Sequence, residues 1–173
     1  MTERQEPNPL RKQGHPRAIA ARELRRAEAE AAGIDAGFVS DLVERFYGRI
    51  RSDALLGPIF AAHIADWPSH LDRMKAFWRS ILHNSAEFSG NPMQRHVAVH
   101  EGGAALGEAE FAHWLDLFYA TCGQLADERG LDPVAAKRVG ERARMIADSL
   151  LTGIATRNHG LTAARAGENL PRP

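Results

Sequence analysis

Eight histidines stand at positions 15, 63, 70, 83, 96, 100, 113 and 159, against a single cysteine, Cys122. The most suggestive setting belongs to His96, which ends the run Gly90-Asn91-Pro92-Met93-Gln94-Arg95-His96. The glycine and the X-Pro pair break the chain there. Pro92 is preorganised for a first helical turn, because its fixed φ suits that position and its missing N–H is not needed. A histidine late in such a short, anchored helix holds its ring at a defined angle, as an axial ligand to a flat metal cofactor must. The bland alternative is a loop and an ordinary surface helix, and for a short motif alone it leads. His100 lies four residues further, on the same helical face, a spacing able to grip zinc. No second cluster of Cys, Asp or Glu at ligand spacing completes such a site. Cys122 falls on an apolar face and reads as a small buried filler rather than a nucleophile. No Ser-His-Asp arrangement follows from spacing.

The elements that must position these residues are helical. Ile34, Phe38, Val39, Leu42, Val43, Phe46, Tyr47 and Ile50 form a helical stripe, with Asp35 as its N-cap. Leu55 to Phe60, containing Gly57-Pro58, reads as a tight apolar corner. Asp66 then caps a helix with Pro68 in its first turn, and Trp67, His70, Leu71, Met74, Phe77, Trp78, Ile81 and Leu82 share one face. After the Pro92 helix, the glycine-rich Glu101–Gly107 should be a flexible connection. Phe111, Trp114, Leu115, Phe118, Cys122 and Leu125 recur at helical spacing before a stop at Gly130. Asp132-Pro133 starts a last helix whose core side is Val139, Met145, Ile146, Leu150 and Ile154. No period-two strand, internal repeat or phosphate-binding glycine loop is present, so the chain reads as all-α.

Three regions follow: an N-terminal extension over 1–33, partly disordered with a solvated helix at 17–32; a domain over 34–157; and a flexible C-terminal tail over 158–173. The 173 residues suffice for one buried core. Lys+Arg and Asp+Glu are both 22, so no basic field exists to draw in nucleic acid or an anionic membrane surface. There is no apolar run of membrane-spanning length and no secretory h-region. One cysteine agrees with a reducing compartment. The expectation is a soluble, cytoplasmic protein with neither nucleic-acid nor membrane partners.

Aromatic residues sharpen the picture. His70 and Met74 are one turn apart, while Tyr47 and Trp114 fall on the apolar stripes of two other helices. A buried phenol or indole normally finds a hydrogen-bond partner, and a ligand in a pocket would provide one. Ordinary core is the other reading, and residue by residue it is the commoner.

Read together, these stretches resemble the group III truncated haemoglobins. The resemblance rests on Phe46-Tyr47-Gly48-Arg49-Ile50-Arg51, Leu56-Gly57-Pro58-Ile59-Phe60, Asp66-Trp67-Pro68-Ser69-His70, Met74-Lys75-Ala76-Phe77-Trp78, Gly90 to His96, and Phe111-Ala112-His113-Trp114-Leu115-Asp116-Leu117-Phe118, in order across about 34–154. It implies a truncated globin fold, two helices over two, around haem b. The proximal iron ligand would be His96, with Tyr47, His70 and Trp114 on the distal, ligand-binding side and Met74 and Phe60 lining the pocket. Trp78 would pack behind the distal helix. Arg73 and Arg95 are candidates for the haem propionates, although each also reads as a solvated surface charge, the commoner role. The segment between His96 and Phe111 is longer and richer in glycine than the family's usual link, and His100 within it competes with His96 for the iron; the motif register favours His96. The implied function is binding of oxygen and other diatomic ligands, with nitric oxide dioxygenation or a peroxidase-like reaction served by an electron donor the sequence does not identify. No catalytic residue is singled out. Two further readings are a haem-based sensor or partner-binding module using the 17–32 helix, and a helical interaction domain without cofactor.

Overall fold

The structure, a computed structural model, describes residues 16–104, 106–159 and 170–173. Seven helices follow one another: α1 (Pro16–Ala31), α2 (Ala36–Ser52), α3 (Leu56–His63), α4 (Trp67–Leu82), α5 (Pro92–Glu101), α6 (Glu108–Arg129) and α7 (Pro133–His159). The fold is all-α: no strand occurs among the described residues, and no helix is long and apolar enough to cross a membrane. α2 packs on α3, α4 and α6; α6 and α5 both pack on α7, and α4 touches α7.

Each boundary has a local cause. Asp35 accepts from the Phe38 N–H at 2.6 Å and starts α2. All eight apolar residues of the predicted stripe, Ile34 to Ile50, are buried. Asp66 accepts from the Ser69 N–H, and Asn91 from the Gln94 N–H at 3.0 Å, so α4 and α5 each begin with a capped turn and a proline. Gly130 ends α6 at φ 64°, a left-handed cap that a side chain would resist. His83, buried at the end of α4, donates through Nε2 to the Ile34 carbonyl at 2.7 Å and ties that helix to the start of α2.

Three expectations change. Leu55–Phe60 is not a mere corner but leads into the helix α3: Asp53 Oδ1 accepts from the N–H groups of Leu55 and Leu56, serving amides that a helix start leaves unpaired. Pro58 falls in that first turn, where its missing donor costs nothing. Met145 is exposed instead of lying on the core side of α7; Ala135, Ala143, Ala147 and Leu151 are buried along that helix with Val139 and Ile154. Residues 170–173 lie against the domain: Leu170 is buried, its carbonyl accepts from Arg144 Nε, and the Pro171 carbonyl accepts from the Tyr119 hydroxyl at 2.9 Å. Residues 160–169 of the expected tail, and 1–15 of the extension, lie outside the described residues. α1 has no buried residue, in keeping with the solvated helix expected there.

Candidate functional site

α2 and α4 bring two polar aromatic side chains together. The rings of Tyr47 and His70 stand 5.2 Å apart, edge to face at 82°. Tyr47 is buried, and Phe60 from α3 lies 6.0 Å from its ring. Tyr47 also abuts Phe46, whose ring meets both Trp114 (5.1 Å) and Phe118 (5.3 Å) edge-on. Trp114 therefore joins the cluster through Phe46, not by direct ring contact. Met74, one turn beyond His70, is partly buried against the core. Trp78 is buried and stacks on Phe118 at 4.8 Å, fixing α4 against α6 from behind.

His96 sits apart from this cluster, half-buried on α5 beside Phe111, with ring centroids 6.4 Å apart. Its Nδ1–H donates to the Pro92 carbonyl at 2.8 Å, one turn back. That bond places the proton on Nδ1 and leaves the Nε2 lone pair available, the tautomer a metal-bound imidazole adopts. His100 is arranged the other way. Its Nδ1 accepts from the Leu106 N–H at 3.3 Å, so in the neutral ring Nε2 carries the proton. The two histidines that the sequence leaves in competition thus differ: His96 keeps an Nε2 lone pair for coordination, whereas the Nδ1 lone pair of His100 is engaged by the Leu106 N–H. No group of three or more His, Cys, Asp or Glu able to hold a metal ion occurs among the described residues, so no third ligand stands with this pair.

Electrostatics set the protonation states. Burial, helped by the Arg73 charge, lowers the His70 pKa to about 4, so the ring is neutral at pH 7. Burial lowers that of His96 as well, only partly opposed by the bond to the Pro92 carbonyl. Burial raises that of the Tyr47 phenol, which stays protonated and able to donate. His70 Nε2 is the one buried side-chain nitrogen or oxygen without a hydrogen-bond partner among the described residues. A buried polar atom left without a partner costs stability unless a bound group satisfies it. A neutral imidazole with an oriented ring at His96, and an unsatisfied buried nitrogen at His70, are donor chemistry that would fit a haem with a small polar ligand.

Arg73 and Arg95 are exposed and form no ion pair with another described residue. A cleft of about 470 Å³ opens between α4, α5 and α7, lined by Phe77, Ile81, Pro92, Met93, Ile146 and Leu150 among others. It does not reach His70 or Tyr47; it runs along the helix faces one turn beyond Met74 and one turn before His96. Exposed Met145 forms part of its wall.

Several residues at the site carry no individual role in the sequence reading. Trp67 lies 5.8 Å from His70 and 6.3 Å from Tyr47, ring to ring. Arg51 places its guanidinium over that indole, 4.8 Å from the ring centroid. Asp53 Oδ2 meets His113 Nε2 at 2.7 Å, joining the α2–α3 turn to α6 next to Trp114. Spacing offered a partial signal for the first pair: Arg51 is four residues after Tyr47 and Trp67 three before His70.

No protein-family model matches the chain. Over 113 residues it is 27% identical to the group 3 truncated hemoglobin ctb of Campylobacter jejuni subsp. jejuni serotype O:2, an alignment spanning 63% of this chain and 82% of that protein. Its fold is similar to the crystal structure of group III truncated hemoglobin from Campylobacter jejuni, with a TM-score of 0.61 and 25% identity, over 70% of this chain and 91% of the other. In sequence and in fold alike, the chain is similar to group III truncated haemoglobins.

Proposed function

We propose that this protein binds haem b, with His96 as proximal iron ligand, and takes up oxygen and related diatomic ligands. The observation that carries the reading is the buried, unpartnered Nε2 of His70 beside Tyr47, in a chain whose His96 has its Nδ1 proton anchored. Haem iron supplies a coordination position at which a diatomic ligand gains partial negative charge. The residues do the rest. The Pro92 carbonyl orients His96 and raises the basicity of its ring. Tyr47, kept protonated by burial, donates toward negative charge in a dry pocket, and the Trp114 indole supplies a second donor. Neutral His70 either donates or stands aside at the pocket's edge. Phe60 and Met74 exclude water. Arg73 and Arg95 are the guanidinium groups for the propionates.

In this reading the α2–α4 and α6–α7 pairs are the two layers of a two-over-two sandwich. The domain spans 34–157, and the setting is cytoplasmic. The chemistry served is redox conversion of nitric oxide or peroxide with an external electron donor; a fold by itself does not fix that step. A second reading, a haem-based sensor or partner-binding module, draws on α1, a helix that buries none of its residues in the domain. Titrating apoprotein with haem tests the first reading: uptake should end at one haem per chain with an intense Soret band, and failure to bind stoichiometrically sinks it. Deleting residues 1–33 separates the two readings, since only the second predicts loss of the cellular role with ligand kinetics unchanged.

A further inference from the structure

Tyr47 and Arg51 lie one turn apart on α2, and Trp67 and His70 one turn apart on α4. Across the seam between the helices the four side chains form two layers. The inner layer is Tyr47 against His70, at 5.2 Å. The outer layer is Arg51 over Trp67, at 4.8 Å. Trp67 touches both members of the inner layer, edge to face, at 6.3 and 5.8 Å. Arg51 is exposed, Trp67 half-buried and Tyr47 buried, so the layers run from solvent inwards.

We propose that the Arg51–Trp67 stack is a latch on His70: it holds the imidazole turned into the core and sets how readily a small ligand passes between α2 and α4. Arg51 and Trp67 are positioning residues, and the proposal rests on the reading of Tyr47 and His70 as the ligand-facing side. The physical grounds are specific. Arg51 has no carboxylate partner among the described residues, so the indole face is the contact that orders it. A guanidinium over an indole favours one rotamer of each. The ordered indole packs edge to face on the imidazole, 5.8 Å away, and so restrains the His70 ring from turning outward. His70 Nε2 is then kept from solvent without any hydrogen bond to hold it, which explains how an unsatisfied buried nitrogen persists. Asp66 caps the first turn of α4 and fixes the backbone from which Trp67 projects.

The test reads His70 directly in the full-length, haem-free chain. Carbethoxylation by diethylpyrocarbonate is followed histidine by histidine by mass spectrometry, with exposed His63 as internal reference. Trp67→Ala should raise the relative rate at His70 about tenfold. Arg51→Gln should raise it about 2- to 5-fold, the effect of losing an exposed cation–π contact. Arg51→Lys and Trp67→Phe should restore most of the protection, and His113 should not change, which separates an opened latch from general loosening. In the haem-loaded ferric protein, imidazole association should accelerate in the same order. An unchanged His70 rate in Trp67→Ala overturns the latch. Haem uptake by the unmodified chain is scored separately: its failure overturns the functional reading and leaves the His70 protection result to stand on its own.

Discussion

Acidification should destabilise the haem-free protein through His70, and the size of the effect follows from its environment. The folded-state pKa is about 4 against an ordinary 6.5, with burial as the main cause and the Arg73 charge second. The fold therefore favours the neutral ring, and between about 6.5 and about 4 the unfolded chain binds more protons than the folded one. Stability rises with pH across that interval; on acidification the loss begins near pH 6.5 and is complete below about 4. Taken at face value, linkage over this shift removes roughly 2 kcal/mol on going from pH 7 to pH 5. His70 is only half-buried, and solvent screening reduces the expected loss to about 1 kcal/mol. Urea unfolding of wild type and His70→Gln at pH 7 and pH 5 measures it. Burial depresses His96 with the same sign, and it remains in both proteins, so the difference between their pH dependences isolates His70. Identical loss of stability in both proteins would refute the claim that the fold holds this ring neutral.

Two further outcomes follow from burial and donor chemistry. Tyr47→Phe keeps the ring contacts with Phe46, Phe60 and His70 but removes the donor; oxygen should leave the haem-loaded variant roughly 10- to 100-fold faster in stopped flow, the range for one hydrogen bond to a charged acceptor. Burial raises the Cys122 thiol to about 11, so Ellman's reagent at pH 8 should not label native protein and should label it promptly in denaturant.

Much of this architecture is legible in the sequence because its signals are local. Asp35 and Asp66 cap where their residue type and the following apolar or proline pattern say they should, and α5 starts at the Pro92 that the sequence singles out. The α2 stripe is buried throughout, since nothing competes with helical periodicity over that span. α3 was harder to see: Gly57 and Pro58 are breakers by type, yet both fall in a first turn whose amides are served by Asp53. Met145 satisfies the period of α7 but faces the cleft beside Phe77 and Ile81, a neighbourhood that periodicity within one helix cannot foresee. Leu170 and Pro171 lie in a polar, glycine-containing end segment, and their places on Arg144 and Tyr119 depend on contacts across 26 and 52 residues.

At the site, residue types were legible and their mutual arrangement was not. Tyr47 and His70 do meet, whereas Trp114 reaches them only through Phe46. Arg51 and Trp67 occupy a layer that no single helix pattern marks. The tautomers of His96 and His100 depend on the Pro92 carbonyl and the Leu106 amide, and thus on how α5 begins and how the chain leaves it.

That last contrast gives the most direct test of the central claim. Absorption spectra of His96→Ala and His100→Ala, each titrated with haem and then reduced under carbon monoxide, should diverge. His100→Ala should retain the wild-type Soret band and ferrous carbonyl spectrum at one haem per chain. His96→Ala should lose stoichiometric, histidine-ligated haem. A wild-type spectrum from His96→Ala, or its loss in His100→Ala alone, would contradict the assignment of the proximal ligand.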